Sequence, residues 1–239
     1  MGHLFLVRHA QASFLSSNYD RLSSLGEQQA RSLGEHWAHR RFRLDRAVCG
    51  PAVRHRDTAR IVGEAYQSAG LPVPPVVVAP EFDEFQGEAV LSAALPKLMD
   101  GNETVRALNQ AMQQASSDTE KRTSFERLFE AVITSWVDGQ FVVDSVESWP
   151  AFCERVNRGL ETFLSQAQRG ETSVIFTSGG PIAVVVQRSL RLAQSDTLKI
   201  AWMSRNSSYT EFLFSRERLT LSSFNAFPHL PDDRMLTYR

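Results

Sequence analysis

The chain has 239 residues, 42% hydrophobic and 22% charged, with a formal net charge of −1. That fits an ordinary soluble chain of one large domain, or one domain with a sizeable insertion, and gives no global reason to expect nucleic acid or an anionic membrane as partner. Cys49 and Cys153 are far apart and in no metal-ligand spacing, the early apolar run LFLV stops at Arg8, and no stretch reaches membrane-spanning length, so the expectation is a reduced, cytoplasmic protein.

In chain order, HLFLV is a short continuous apolar run, as expected for a strand buried on both faces. Ala30, Leu33 and Trp37 then follow helical spacing among Glu, Gln and Arg. RAVCG, from Arg46 to Gly50, predicts a second strand. Ala59, Val62 and Tyr66 mark a second helix, stopped by Gly70 and Pro72, and VPPVVVAP predicts a third strand. This alternation predicts an α/β fold, a mostly parallel sheet sandwiched by helices. From about Glu88 the signals are helical. Gln113–Arg122 reads as a polar loop, and Phe125 to Trp136 forms an apolar stripe introduced by Thr123 and Glu126 in capping-box spacing. Trp149, Phe152, Val156, Leu160 and Phe163 form another stripe. The α/β rhythm returns with SVIFTSGGPIAVVV, a strand, two glycines and a helix with Pro181 in its first turn. SYTEFLFS and RLTLSSFNAF close the chain as strands. The expected organisation is a core over 1–87 and 171–239 with a helical cap insertion over 88–170.

Ligands of parallel α/β sheets bind at the carboxyl ends of the strands, beside helix N-termini. The first strand delivers Arg8 and His9 there, and the second delivers Gly50, Pro51 and, a turn later, Arg54. The third leads into the carboxylate-rich PEFDEFQGE, and the later strand into Thr177, Ser178, Gly179 and Gly180. Two guanidinium groups and helix-end N–H groups suit a phosphoryl group. An imidazole can attack phosphorus, and a carboxylic acid can protonate the leaving oxygen. His36 and His39 lie three apart on a helix without a third ligand, which reads as a solvated face rather than a metal pair.

LVRHAQAS resembles the L-V-R-H-G signature of the histidine phosphatase superfamily, whose fold is phosphoglycerate-mutase-like. LSSLGEQQA is similar to its L-T-x-x-G-x-x-Q-A, and GPAVRHRDTA to its S-P-x-x-R-x-x-x-T-A. FDEFQGE resembles the segment carrying its acid, FTSGGPI its second-histidine segment V-[ST]-H-G-G, and FNAFPHL its closing N-x-x-x-H-L. The resemblance implies His9 as the nucleophile, transiently phosphorylated, with Arg8 and Arg54 holding the phosphoryl oxygens. It implies Glu84 as the general acid, with Glu81, Asp83 and Glu88 competing for that role. Ser13, Ser178 and Gly179 are the expected phosphate contacts. No metal or other cofactor is expected, and the implied partner is a phosphorylated small molecule or inorganic phosphate. The central helices occupy the place of the cap that covers the site in larger members.

Two departures touch the positions of the nucleophile and of the second histidine. Ala10 replaces the usual glycine, tolerable where φ is negative. Ser178 stands where the second histidine belongs, and a neutral donor in place of a charged one weakens transition-state binding by about 1–2 kcal/mol. Neither His55 nor His229 has the sequence context of that histidine. The expectation is therefore a weakened phosphatase; the alternatives are a mutase-like phosphotransferase and a non-catalytic phosphate-binding or interaction protein on the same fold.

Overall fold

The computed structural model describes residues 1–13, 20–215 and 218–238. Strand β1 (Gly2–Arg8) runs through the middle of the sheet, and its Leu4, Phe5, Leu6 and Val7 are all buried. Alternation sends Phe5 and Val7 to one face, where they pack with Leu33, Trp37, Tyr66, Val174 and Phe176. Helix α1 (Ser24–His39) supplies Leu33 and Trp37, and it starts where the Ser23 hydroxyl accepts from the Gly26 N–H at 3.0 Å. A Cβ at Gly26 would stand 2.1 Å from the Gln11 carbonyl oxygen, so only glycine lets the helix approach the backbone after β1 this closely. Strand β2 (Arg46–Cys49) leads through Pro51 into helix α2 (Val53–Ser68), which packs on α1.

Strand β3 (Val76–Val78) forms one edge of the sheet with all three valines exposed. Strand β4 (Thr172–Thr177) pairs in parallel with both β1 and β2 and feeds helix α7 (Gly179–Leu190), which packs against β1. After the short helix α8 (Thr197–Met203), strands β5 (Tyr209–Phe214) and β6 (Leu219–Ala226) return antiparallel. The order is β3-β2-β4-β1-β5-β6, so four parallel strands present their carboxyl ends together. This is the mostly parallel α/β sheet that the sequence implies.

The chain divides into two compact units, one of residues 1–84 and 155–239, the other Phe85–Glu154. The second unit is helical: α3 (Gly87–Gly101), α4 (Glu103–Gln114), α5 (Asp118–Val137) and the start of α6 (Trp149–Ser165). Its Phe85, Trp136, Trp149 and Phe152 rings cluster with centroids 5.2–5.9 Å apart, and Ala94, Val105, Leu128 and Val132 form a second buried group. Two local expectations change. The loop over Gln113–Arg122 shrinks to 115–117, because the helix starts at Ser117, not Thr123. Ser117 heads a Ser-x-x-Glu sequence of its own: its hydroxyl accepts from Glu120 N–H at 3.2 Å, and Glu120 accepts from Ser116 N–H at 2.9 Å. From Arg155 onward α6 belongs to the first unit rather than to an insertion reaching Gly170. There the Phe163 ring lies 3.6 Å beneath the Arg46 guanidinium and Glu161 pairs with Arg188 at 2.9 Å. Among the described residues no helix is long and apolar enough to cross a membrane.

Candidate active site

His9 follows β1 directly and is 7% exposed. Its N–H extends the parallel ladder to the Thr177 carbonyl at 2.7 Å, while its own carbonyl accepts from Ser207 N–H and Asn206 Nδ2, each at 3.2 Å. The ring's Nδ1 lies 2.8 Å from the Ala10 carbonyl oxygen. A carbonyl only accepts, so Nδ1 carries the hydrogen and Nε2 keeps an in-plane lone pair. Burial, then the positive charges of Arg54 and Arg8 and the neighbouring His55 ring, push the His9 pKa well below the ordinary histidine range. The imidazole is thus held neutral and aimed. Ala10 has no positive φ, and its N–H donates to Thr58 Oγ1 at 3.1 Å. Thr58 in turn donates to the Arg54 carbonyl at 2.7 Å, tying the loop after β1 to the first turns of α2.

Arg8 directs Nη1 at the Ser204 carbonyl oxygen, and its own carbonyl accepts from Ser207 N–H at 3.1 Å. Arg54 lies in the first turn of α2, where its Nη1 meets Asp20 Oδ1 at 2.7 Å. Ala52, the residue before that helix, has no side chain able to cap it. The Asp20 carboxylate fills that role from another segment, accepting from Val53 N–H at 2.8 Å. Glu84 reaches the head of α7, where its Oε2 accepts from Gly180 N–H at 3.1 Å. Its segment is fixed to the end of β4 by the Thr177 hydroxyl, which donates to the Phe82 carbonyl at 2.6 Å. Ser178, 1% exposed, lies 2.6 Å from Nε2 of the wholly buried His55. Gly179 faces the end of α8, where a Cβ would come within 3.1 Å of the Ala201 carbonyl oxygen. Ser13 donates its hydroxyl to the Leu22 carbonyl at 3.2 Å and its N–H to the Arg21 carbonyl at 2.8 Å.

His9, Arg54 and His55 therefore share one end of the sheet with Arg8, and the residues Glu84, Ser178 and Gly180 meet there at the head of α7. Sequence reasoning missed Asp20, Asn206 and the contact of His55 with Ser178. Thr58 was visible as the threonine of the R-x-x-x-T-A block, without a stated role. His229, from the closing motif, accepts or donates at Nε2 with the Ser207 hydroxyl at 2.9 Å and so props the loop behind His9. Among the described residues no group of three or more His, Cys, Asp or Glu side chains is arranged to hold a metal ion.

The sequence profile of the histidine phosphatase superfamily (branch 1) matches residues 4–90 and 111–226. The chain belongs to the histidine phosphatase superfamily. Membership makes it an enzyme of phosphate-monoester chemistry. No curated protein matches the chain. Among solved structures it is similar to a mycobacterial glucosyl-3-phosphoglycerate phosphatase, at 20% identity and TM-score 0.61, covering 95% of this chain and 99% of that one. It is also similar to a phosphoserine phosphatase mutant from Entamoeba histolytica bound to phosphoserine (17% identity, TM-score 0.61, 96% and 100% covered). An alpha-ribazole phosphatase from Shigella flexneri matches at 18% identity and TM-score 0.58, with 94% and 96% covered. These likenesses establish the shared fold.

Proposed function

We propose that this protein is a phosphatase that hydrolyses a small phosphomonoester through a phosphohistidine at His9. The observation that carries the reading is the tautomer of His9: Nδ1–H is committed to the Ala10 carbonyl, leaving the Nε2 lone pair for phosphorus. In the first step that lone pair forms the N–P bond as the P–O bond to the leaving group breaks. Glu84, protonated, gives its proton to the departing oxygen. In the second step the Glu84 carboxylate takes a proton from water, the water oxygen bonds to phosphorus, and the N–P bond returns its electrons to Nε2. Arg8 and Arg54 balance the charge on the phosphoryl oxygens in a loose transition state. With two guanidinium groups in that role, we assign no metal to either step. Ser178, Gly179 and Ser13 are proposed phosphate contacts. The similar folds include a phosphoserine phosphatase, which supports a small ester as the substrate class. Two free thiols, Cys49 and Cys153, suit a reducing compartment such as the cytoplasm.

The test is turnover of p-nitrophenyl phosphate by the wild type and His9→Ala. The variant is expected to fall to background, and a phosphorylated histidine is expected to be trapped in the wild type under acid-free quench. Equal rates in the two proteins would overturn the assignment. Release of phosphate carrying oxygen from labelled water separates hydrolysis from a mutase-like return of the group to substrate. Binding of phosphate with no trapped adduct would point instead to a non-catalytic phosphate-binding protein.

A further inference from the structure

We infer that Ser178 and His55 act as one hydrogen-bonded unit in place of the missing second histidine, with Ser178 donating to a phosphoryl oxygen and His55 orienting that hydroxyl. The inference rests on the phosphatase reading for the identity of the oxyanion, and on geometry for the pair.

Ser178 is the residue before α7, where a serine normally turns its hydroxyl oxygen toward the helix's first N–H groups. Here it makes no such bond. The reason is local: Gly180 N–H is already given to Glu84 at 3.1 Å, and the next residue, Pro181, has no N–H. The hydroxyl turns to His55 Nε2 instead, at 2.6 Å. Which partner donates follows from the far side of the ring. His55 is wholly buried, and its Nδ1 has no hydrogen-bond partner. A hydrogen on Nδ1 would be a buried, unmatched donor, so the proton belongs on Nε2 and is donated to Ser178 Oγ. That leaves the Ser178 hydrogen for another acceptor. His55 is the residue after Arg54, its ring centroid is 5.6 Å from that of His9, and Ser178 follows Thr177, whose carbonyl binds His9 N–H. A tetrahedral oxyanion attacked by His9 is the acceptor within this cluster.

Space for the ring is also specific. A Cβ on Gly50 would lie 2.4 Å from His55 Nδ1. The motif that this segment resembles has serine there, where this chain has glycine. The letters at 50, 55 and 178 thus make one arrangement. His55 touches no substrate in this scheme; it is a positioning residue acting through Ser178.

The test compares wild type with Ser178→Ala, His55→Gln, His55→Leu and the Ser178→Ala/His55→Leu double variant. Turnover of p-nitrophenyl phosphate and binding of inorganic vanadate by calorimetry are both read. Glutamine can place an N–H where Nε2 stands, whereas leucine cannot. Ser178→Ala and His55→Leu are each expected to lower kcat about tenfold, with the double variant no slower than either. His55→Gln should stay within about threefold of wild type, because only the donor is needed. Vanadate affinity should fall in step with kcat. Wild-type kcat and vanadate affinity in Ser178→Ala would overturn the pair, as would losses that multiply in the double variant or equal losses for glutamine and leucine. Should His55→Leu not fold, Ser178→Ala and His55→Gln decide the matter. If His9→Ala turns over substrate like wild type while Ser178→Ala loses vanadate, the pair stands and the phosphatase reading fails.

Discussion

His9, the proposed nucleophile, bears an electrostatic burden. It is buried and faces the guanidinium groups of Arg54 and Arg8, and burial first and then these charges disfavour a proton on the imidazole. A nucleophile must be unprotonated, so a depressed pKa widens its working range on the acid side. We expect kcat/KM, corrected for substrate ionisation, to show no loss from His9 protonation between pH 7 and about 6. An acid limb centred at the ordinary histidine value of about 6.5 would contradict this. At this scale the sequence was most informative where chemistry demands a particular side chain. Arg8 and His9 at the end of an apolar strand, and Arg54 a turn into the next helix, were legible because few other functions put cations there. The partnership of His55 with Ser178 was not, since the two are separated by 123 positions and neither local pattern signals the other.

The helices show how much of an element's start is decided elsewhere in the chain. Helix α2 opens after an alanine and relies on Asp20 for its first N–H group, and the same carboxylate holds Arg54. The two roles separate by substitution. Asp20→Asn keeps an oxygen that can accept from Val53 N–H but removes the charge paired with Arg54. It should bind inorganic phosphate more tightly by calorimetry, since the incoming anion no longer competes with a carboxylate. Asp20→Ala loses the cap as well and should be less stable by about 1 kcal/mol, a drop in Tm of roughly 2–4 °C. Tighter phosphate binding by neither variant would count against this account of the ion pair. Sequence pattern could locate α2 from Ala59, Val62 and Tyr66 but could not supply a cap that lies 33 residues upstream. For α5 the difficulty was different: two Ser/Thr-x-x-Glu sequences, at Ser117 and Thr123, compete within one helix, and the outer one wins by adding turns. In α6 an unbroken helical pattern hid the point where the chain passes from one unit to the other.

Across the molecule, buried neutral histidines couple folding to pH. The pKa values of His9 and His55 are pushed well down and that of His229 to about 3, in each case mainly by burial. Unfolded, each returns toward about 6.5. As pH falls below that value the unfolded chain takes up protons that the folded one refuses, so stability declines, by up to about 1.4 kcal/mol per pH unit for each histidine. The urea midpoint should therefore be lower at pH 5 than at pH 7.5, and an unchanged or higher midpoint at pH 5 would refute this. The sheet order could not be derived from the alternation of strands and helices. That alternation fixed the parallel half, but β1 pairs with β4 and β5, far along the chain, through contacts that no local period encodes. This topology bears on biosynthesis. Strand β1 ends at Arg8, while its neighbours begin only at Thr172 and Tyr209. On the ribosome, Leu4 to Val7 therefore wait as an unpaired apolar segment through most of translation, a natural client for a chaperone. The groups that fix the His9 backbone, the Thr177 carbonyl and the Ser207 N–H, arrive only with those late segments.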